Sequence, residues 1–88
     1  MKAQTALDGA SIIIATYNGR QYLEDCLTSV QRQLRPGDEV ILIDNSSTDG
    51  TVEFLQARFP WVTLIPNAGN RGFAPACNQG AALANNEI

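Results

Sequence analysis

The chain has 88 residues, 44% of them hydrophobic and 17% charged, which fits one small globular domain with one core. Nine acidic residues outnumber six basic ones for a net charge of −3, and the basic residues are scattered, which excludes a nucleic-acid surface built on clustered Lys and Arg. No segment is long enough to cross a bilayer, and with no histidine and two cysteines outside any zinc spacing, a thiolate or imidazole metal site is excluded.

Residues 1–10 lack the apolar core of a secretory signal and read as a lead-in. Residues 11–17 form the first expected strand, with Ile12, Ile13 and Ile14 supplying β-branched bulk. Asn18 and Gly19 turn the chain, and Asn18 followed by Gln21 has the spacing of a capping box. Leu23, Cys26, Leu27, Val30 and Leu34 recur at three- and four-residue steps, which predicts an amphipathic helix over 20–34, ended by Pro36 and Gly37. Cys26 and Cys77 both fall on apolar stripes and read as buried thiols.

The run Val40–Ile43 has the character of a strand buried on both faces, and it stops at a carboxylate, Asp44. Turn-formers follow, then a helix over Thr51–Arg58 with Val52, Leu55 and Phe59 on one side. Ser47 or Thr48 is the expected N-cap, and Asp49 is expected in the first turn, where a negative charge favours the helix dipole. Residues 61–65 read as a third strand, 66–72 as a loop and 73–85 as a third helix with Pro75 in its first turn. The inner side of that helix carries Ala76, Cys77, Gly80 and Ala84, small enough for close approach to a sheet. Residues 86–88 look like the start of a fourth strand. The alternation of strand and helix predicts an α/β fold, an open and mostly parallel sheet with helices on both faces.

Ligands of such sheets bind beyond the carboxyl ends of the strands, so the residues there are the candidates. Asp44 can accept hydrogen bonds from a ribose hydroxyl or a base N–H, against the plainer role of starting a turn. Thr16, Tyr17 and Asn18 end the first strand; Tyr17 either lies against a base or packs on the first helix. Asn45, Ser46, Ser47 and Asp49 are assigned to turn and cap. Asn70, Arg71 and Gly72 precede the third helix, where free N–H groups attract phosphate; Arg71 either adds to that attraction or is an exposed loop charge. Asn78, one turn into the helix, either caps locally or reaches toward the cleft.

Three segments in order, SIIIATYNG, ILIDNSSTDGT and NRGFAPACNQG, resemble the motifs of the inverting family-two glycosyltransferases with the GT-A fold. The resemblance runs from Ser11 to Ile88 and covers the amino-terminal, nucleotide-binding half of that fold. It implies a Rossmann-like sheet that holds a nucleoside-diphosphate sugar of UDP, dTDP or GDP type. By position it assigns Thr16, Tyr17 and Asp44 to the nucleoside, and Asn70, Gly72 and Asn78 to the adjoining wall. Cys77 stands where the family often has a basic residue, which leaves Arg71 as the nearer cation.

The resemblance further implies Mg²⁺ or Mn²⁺ in a longer parent, held by an acidic motif at the end of the fourth strand that this chain does not reach. The parent would transfer the sugar to a saccharide or lipid-linked acceptor with inversion. The wording GFAPACNQG leans toward bacterial cell-surface polysaccharide or rhamnosyl-type transferases, at work in the cytoplasm and at the inner face of the membrane. The fragment by itself is expected to be inactive, because nothing in it neutralises a departing diphosphate. One alternative is a dinucleotide oxidoreductase, opposed by the single glycine of ATYNGR. The other is a non-catalytic module that binds nucleotide or pairs with a second copy through the open edge of residues 11–17.

Overall fold

The computed structural model describes residues 9–85. In chain order they form β1 (Ser11–Thr16), α1 (Arg20–Gln33), β2 (Glu39–Asp44), α2 (Thr51–Arg58), β3 (Thr63–Pro66) and α3 (Phe73–Leu83). The strands make one parallel sheet in the order β1-β2-β3. Thr16 lies opposite Asp44, and Asp44 opposite Pro66, so the three carboxyl ends finish level with one another.

The apolar run of β2 sends alternate side chains to opposite faces. Val40 and Leu42 pack with Leu23 and Leu27 of α1, with Leu55 of α2 and with Phe59 and Val62. Ile41 and Ile43 point the other way, onto Ala76 of α3, beside Ile13 and Ala15 of β1. The sheet is thus covered by α1 and α2 on one face and by α3 on the other, as the continuous hydrophobic run requires. Each fully buried Leu or Ile contributes about 1.5–3 kcal/mol relative to exposure. Gly80 sets the depth of α3, because a β-carbon there would lie 2.5 Å from Ile13 Cγ2 and 3.5 Å from Ile43 Cγ1.

Several boundaries differ from expectation. β1 ends at Thr16, since Asn18 takes a positive φ of 52° and starts the turn. α1 ends at Gln33, and Leu34 is its extended C-cap. Trp61 is not in a strand. The Val62 N–H donates to the Phe59 carbonyl at 3.1 Å, so Pro60 and Trp61 are the centre of a turn, and β3 begins only at Thr63. α3 stops at Leu83; Ala84 is extended, and the Asn85 N–H donates to Glu39 Oε2 at 2.6 Å, which draws the chain out of the helix. The expected fourth strand at 86–88 lies outside the described residues.

The thiols also differ. Cys26 is exposed and Cys77 half-buried, and neither forms a disulfide. The buried line of α1 is Leu23 and Leu27, flanked by the half-buried Val30 and Leu34, and Cys26 falls beside that line rather than on it. Among the described residues, no helix is long and apolar enough to cross a membrane.

Candidate functional site

The level strand tips are stitched together past the end of the sheet. The Asn45 N–H donates to the Thr16 carbonyl at 2.9 Å, and the Asn67 N–H to the Asp44 carbonyl at 2.8 Å. Beyond these rungs the β1–α1 and β2–α2 turns exchange side-chain bonds. The Asn18 N–H donates to Ser47 Oγ at 2.8 Å, and the Thr48 N–H donates to Asn18 Oδ1 at 2.7 Å. Asn18 is therefore no N-cap. Gly19 holds that position without a side-chain cap, because a β-carbon there would sit 2.5 Å from Thr16 Oγ1.

The start of α1 is capped from the other turn. Asp49 Oδ2 accepts from the Arg20 N–H at 3.1 Å, while Oδ1 accepts from the Thr51 N–H at 3.1 Å and from the Thr51 hydroxyl. The N-cap of α2 is Gly50, not Ser47 or Thr48, and Asp49 precedes the helix instead of standing in its first turn. The carboxylate thus faces two helix N-termini at once, a favourable place for negative charge. The Thr51 hydroxyl bond, ahead of the backbone bonds from Arg20 and Thr51, holds the Asp49 carboxyl below its ordinary value.

Asp44 is 1% exposed. Its Oδ2 accepts from the Ser47 N–H at 2.9 Å and its Oδ1 from the Ser47 hydroxyl at 2.6 Å. The carboxylate begins its own turn and, through Ser47, reaches Asn18. Each oxygen keeps one lone pair beyond these bonds.

On the α3 side of the tips lies a cavity of about 200 Å³. Ala15, Thr16 and Tyr17 form its β1 wall. Asn70, Gly72 and Phe73 form the opposite wall, with Asn45 between them. Tyr17 is 53% exposed, so it stands at the cavity and is not packed under α1. Of the residues expected at a site, Thr16, Tyr17, Asn70 and Gly72 meet here, while Asn18, Asp44, Arg71 and Asn78 do not line this cavity. Asn78 and the Arg71 side chain are exposed on α3 and on the loop before it, and Arg71 makes no ion pair among the described residues.

Asn45 and Phe73 were assigned to a turn and to a helix start, yet both line the cavity. Asn45 is 3% exposed. Its Nδ2 donates to the Gly72 carbonyl at 3.1 Å, and its Oδ1 accepts from Asn67 Nδ2 at 3.1 Å and from the Arg71 N–H at 3.4 Å. Asn67 and Gln79 exchange amide bonds at 2.9 and 3.0 Å, which ties the loop to α3. Asn70 Oδ1 accepts from the Gly72 N–H at 2.8 Å. Strand parity could have found Asn45: Ile41 and Ile43 face α3, and Asn45 is the next residue in that alternation.

A second, wider groove of about 1110 Å³ runs between α1 and α2. Arg20 and Arg58 lie over the Phe54 ring, 5.3 and 5.8 Å from its centroid, and Arg58 pairs with Glu24 at 2.9 Å. Asp49, also on the groove's lining, is bonded to the Arg20 N–H and to Thr51. Among the described residues no three His, Cys, Asp or Glu converge as a metal set, and the two acids at the tips, Asp44 and Asp49, are bonded to Ser47, Thr51 and Arg20. These residues do not fit a divalent-metal site.

The model of glycosyl transferase family 2 matches residues 11–88. The chain is 35% identical over 72 residues to the N-acetylglucosaminyl-diphospho-decaprenol L-rhamnosyltransferase of Mycobacterium tuberculosis, covering 82% of this chain and 24% of that protein. It is 48% identical over 46 residues to the putative teichuronic acid biosynthesis glycosyltransferase TuaG of Bacillus subtilis, covering 52% of this chain and 18% of that one. In structure it resembles the mannosyltransferase PcManGT of Pyrobaculum calidifontis, solved in complex with GDP-Man and Mn²⁺. The TM-score is 0.77 at 31% identity, over 91% of this chain and 25% of that one. The chain spans about a quarter or less of the length of these relatives. With its parallel Rossmann-like sheet, it belongs to glycosyltransferase family 2 and has the GT-A fold.

Proposed function

We propose that residues 11–88 are the nucleotide-sugar-binding portion of a longer glycosyltransferase. Its parent transfers a hexosyl-type sugar with inversion to an acceptor hydroxyl in bacterial cell-surface polysaccharide synthesis. The observation that carries this reading is the pairing of Thr16 with Asp44 at level strand tips, with Tyr17 opening onto the cavity beside them. The GDP-Man in the complex of PcManGT supports a nucleotide sugar as the ligand of this fold, and the rhamnosyltransferase and TuaG support the polysaccharide setting.

In this reading Tyr17 lies against the base, and Thr16 and Asn18 present the β1 tip to the nucleoside. Asp44 is the anionic pole that accepts from a ribose hydroxyl or base N–H once the Ser47 hydroxyl swings aside. Asn70 and Gly72 form the facing wall, Arg71 turns toward the diphosphate, and Asn78 borders the cleft from α3. In this reading the Mg²⁺ or Mn²⁺ of the parent would be held by residues outside this set, and the fragment alone would not turn over a nucleotide sugar.

Calorimetric titration with UDP, dTDP and GDP tests the proposal. Asp44→Asn should weaken whichever nucleotide binds, and Ser47→Ala, which frees one Asp44 oxygen, should not. Equal affinities for Asp44→Asn and the unsubstituted chain would remove Asp44 from the site. A second copy pairing along β1, a terminal strand of the described sheet, is a separate reading, and a clean monomer in sedimentation at high concentration would dismiss it.

A further inference from the structure

We propose that Phe73 is a stacking wall for the nucleobase, so that Tyr17 and Phe73 together bound a slot for one flat heteroaromatic ring. This rests on the nucleotide reading above and adds to it a residue of specificity on the α3 side. Phe73 is 73% exposed, more than any other large hydrophobic residue among those described. It lines the same cavity of about 200 Å³ as Tyr17. Neither ring packs on another aromatic, whereas Phe54, Phe59 and Trp61 interlock edge to face on the α1–α2 side.

Both rings stand on backbone that is held. Phe73 follows Gly72, whose carbonyl accepts from Asn45 Nδ2 and whose N–H donates to Asn70 Oδ1. Tyr17 sits between Thr16, the last rung of β1, and Asn18, which bonds to Ser47 and Thr48. Two exposed rings fixed at the mouth of one cavity leave apolar surface in water with no aromatic partner among the described residues. A base offers two π faces to such a pair, and being uncharged it meets no opposition from a chain of net charge −3. Among the described residues the slot is lined by no charged side chain, and the neighbouring cation, Arg71, lies outside it at the start of α3, where the charged part of a nucleotide would extend.

The test is titration of the 88-residue chain and its Phe73→Leu and Phe73→Trp variants with UDP, dTDP, GDP and ribose 5-phosphate. Phe73→Leu keeps apolar bulk and removes the π face. It should weaken the nucleotide that the unsubstituted chain binds by about tenfold or more, the effect of losing one base–aromatic stack. Phe73→Trp should restore that binding, and ribose 5-phosphate, which has no base, should behave alike with all three chains. Unchanged urea midpoints would confirm that the exposed ring carries no folding role. Nucleotide affinity unaltered in Phe73→Leu, or an equal loss for ribose 5-phosphate, would overturn the inference while leaving the proposed function intact. Failure of the unsubstituted chain to bind any of the three nucleotides would instead overturn the proposed function, and the slot with it.

Discussion

Replacing Asn45 by Ala should damage binding more visibly than folding. The substitution removes two hydrogen bonds of 3.1 Å, to Gly72 and Asn67, and a long one of 3.4 Å from the Arg71 N–H. At 0.5–1.5 kcal/mol per net bond, the two good ones contribute about 1–3 kcal/mol. The lower part of that range applies, because Gly72 and Arg71 are exposed to water and Asn67 keeps both bonds to Gln79. A loss of about 1–2 kcal/mol lowers the melting temperature of a domain this size by roughly 4–16 °C and leaves it folded at room temperature. The loop at 67–72 then keeps its rung from the Asn67 N–H to the Asp44 carbonyl but loses the ties from Asn45 to Gly72 and Arg71. Ordering that Asn45 supplied in advance must be drawn from binding, so nucleotide affinity should fall by roughly 5- to 30-fold. Calorimetric titration well below the melting transition reads the affinity, and hydrogen exchange at residues 67–72 reads the loop. Gln79→Ala, which removes only the bonds to Asn67, should do less on both. An Asn45→Ala chain that is destabilised but binds nucleotide as before, with exchange at 67–72 unchanged, would refute the tether.

Gly80→Ala should destabilise by about 1–2 kcal/mol in urea unfolding, because the stiff Ile13 cannot yield its methyl freely, and the gain in helix propensity offsets only part of the overlap. Gly69→Ala, with nothing within 4 Å of its β-carbon, should stay within about 0.5 kcal/mol, and a Gly80→Ala chain at least as stable as the parent would show that α3 rides higher on the sheet. Asp49 and Asp38 both have lowered carboxyl pKa values, Asp49 chiefly from the Thr51 hydroxyl and Asp38 chiefly from the Ala10 N–H, so their stabilisation is complete above the ordinary carboxylate pKa of 3.8 and is lost as pH falls below it. Urea midpoints measured from pH 5 down to pH 3 should fall, and fall less steeply in Asp49→Asn; an identical slope in that variant would exclude its carboxylate from the effect. The exposed Cys26 should react with a thiol reagent in the native chain before the half-buried Cys77, and the reverse order would mean that α1 is rotated on the sheet.

The sheet was legible because its signal is local. Val40–Ile43 and Ile12–Ile14 are short apolar runs that only a covered parallel strand accommodates, and the helical spacing of Leu23, Leu27, Val30 and Leu34 lies within one segment. The caps were not legible, because their partners are about thirty residues apart. The Arg20 N–H is met by Asp49, the Thr48 N–H by Asn18 and the Asn18 N–H by Ser47. A capping rule reads only the residues next to a helix start, so it placed Asn18 and Ser47 on their own helices, whereas each bonds to the other's turn. Trp61 was missed for a different reason: its aromatic bulk favours a strand, but Pro60 fixes a turn that overrides that preference.

The same distinction bears on which side of the tips receives a ligand. On the side of α1 and α2, the polar groups are engaged by the protein: Asp44 with Ser47, Ser47 with Asn18, Asn18 with Thr48, and Asp49 with Arg20 and Thr51. A ligand entering there meets groups already bonded within the protein, and reaches Asp44 through the one lone pair that each oxygen keeps beyond its Ser47 bond. On the side of α3, the Asn70 amide nitrogen, the Tyr17 hydroxyl and the Arg71 guanidinium have no protein partner among the described residues, and Phe73 stands uncovered beside them. Binding there exchanges water for ligand without breaking the fold's own contacts. Alternation along β2 therefore divides the roles: Asp44 presents a carboxylate already oriented by Ser47 on the braced face, and Asn45, one residue later, shapes the wall of the open one.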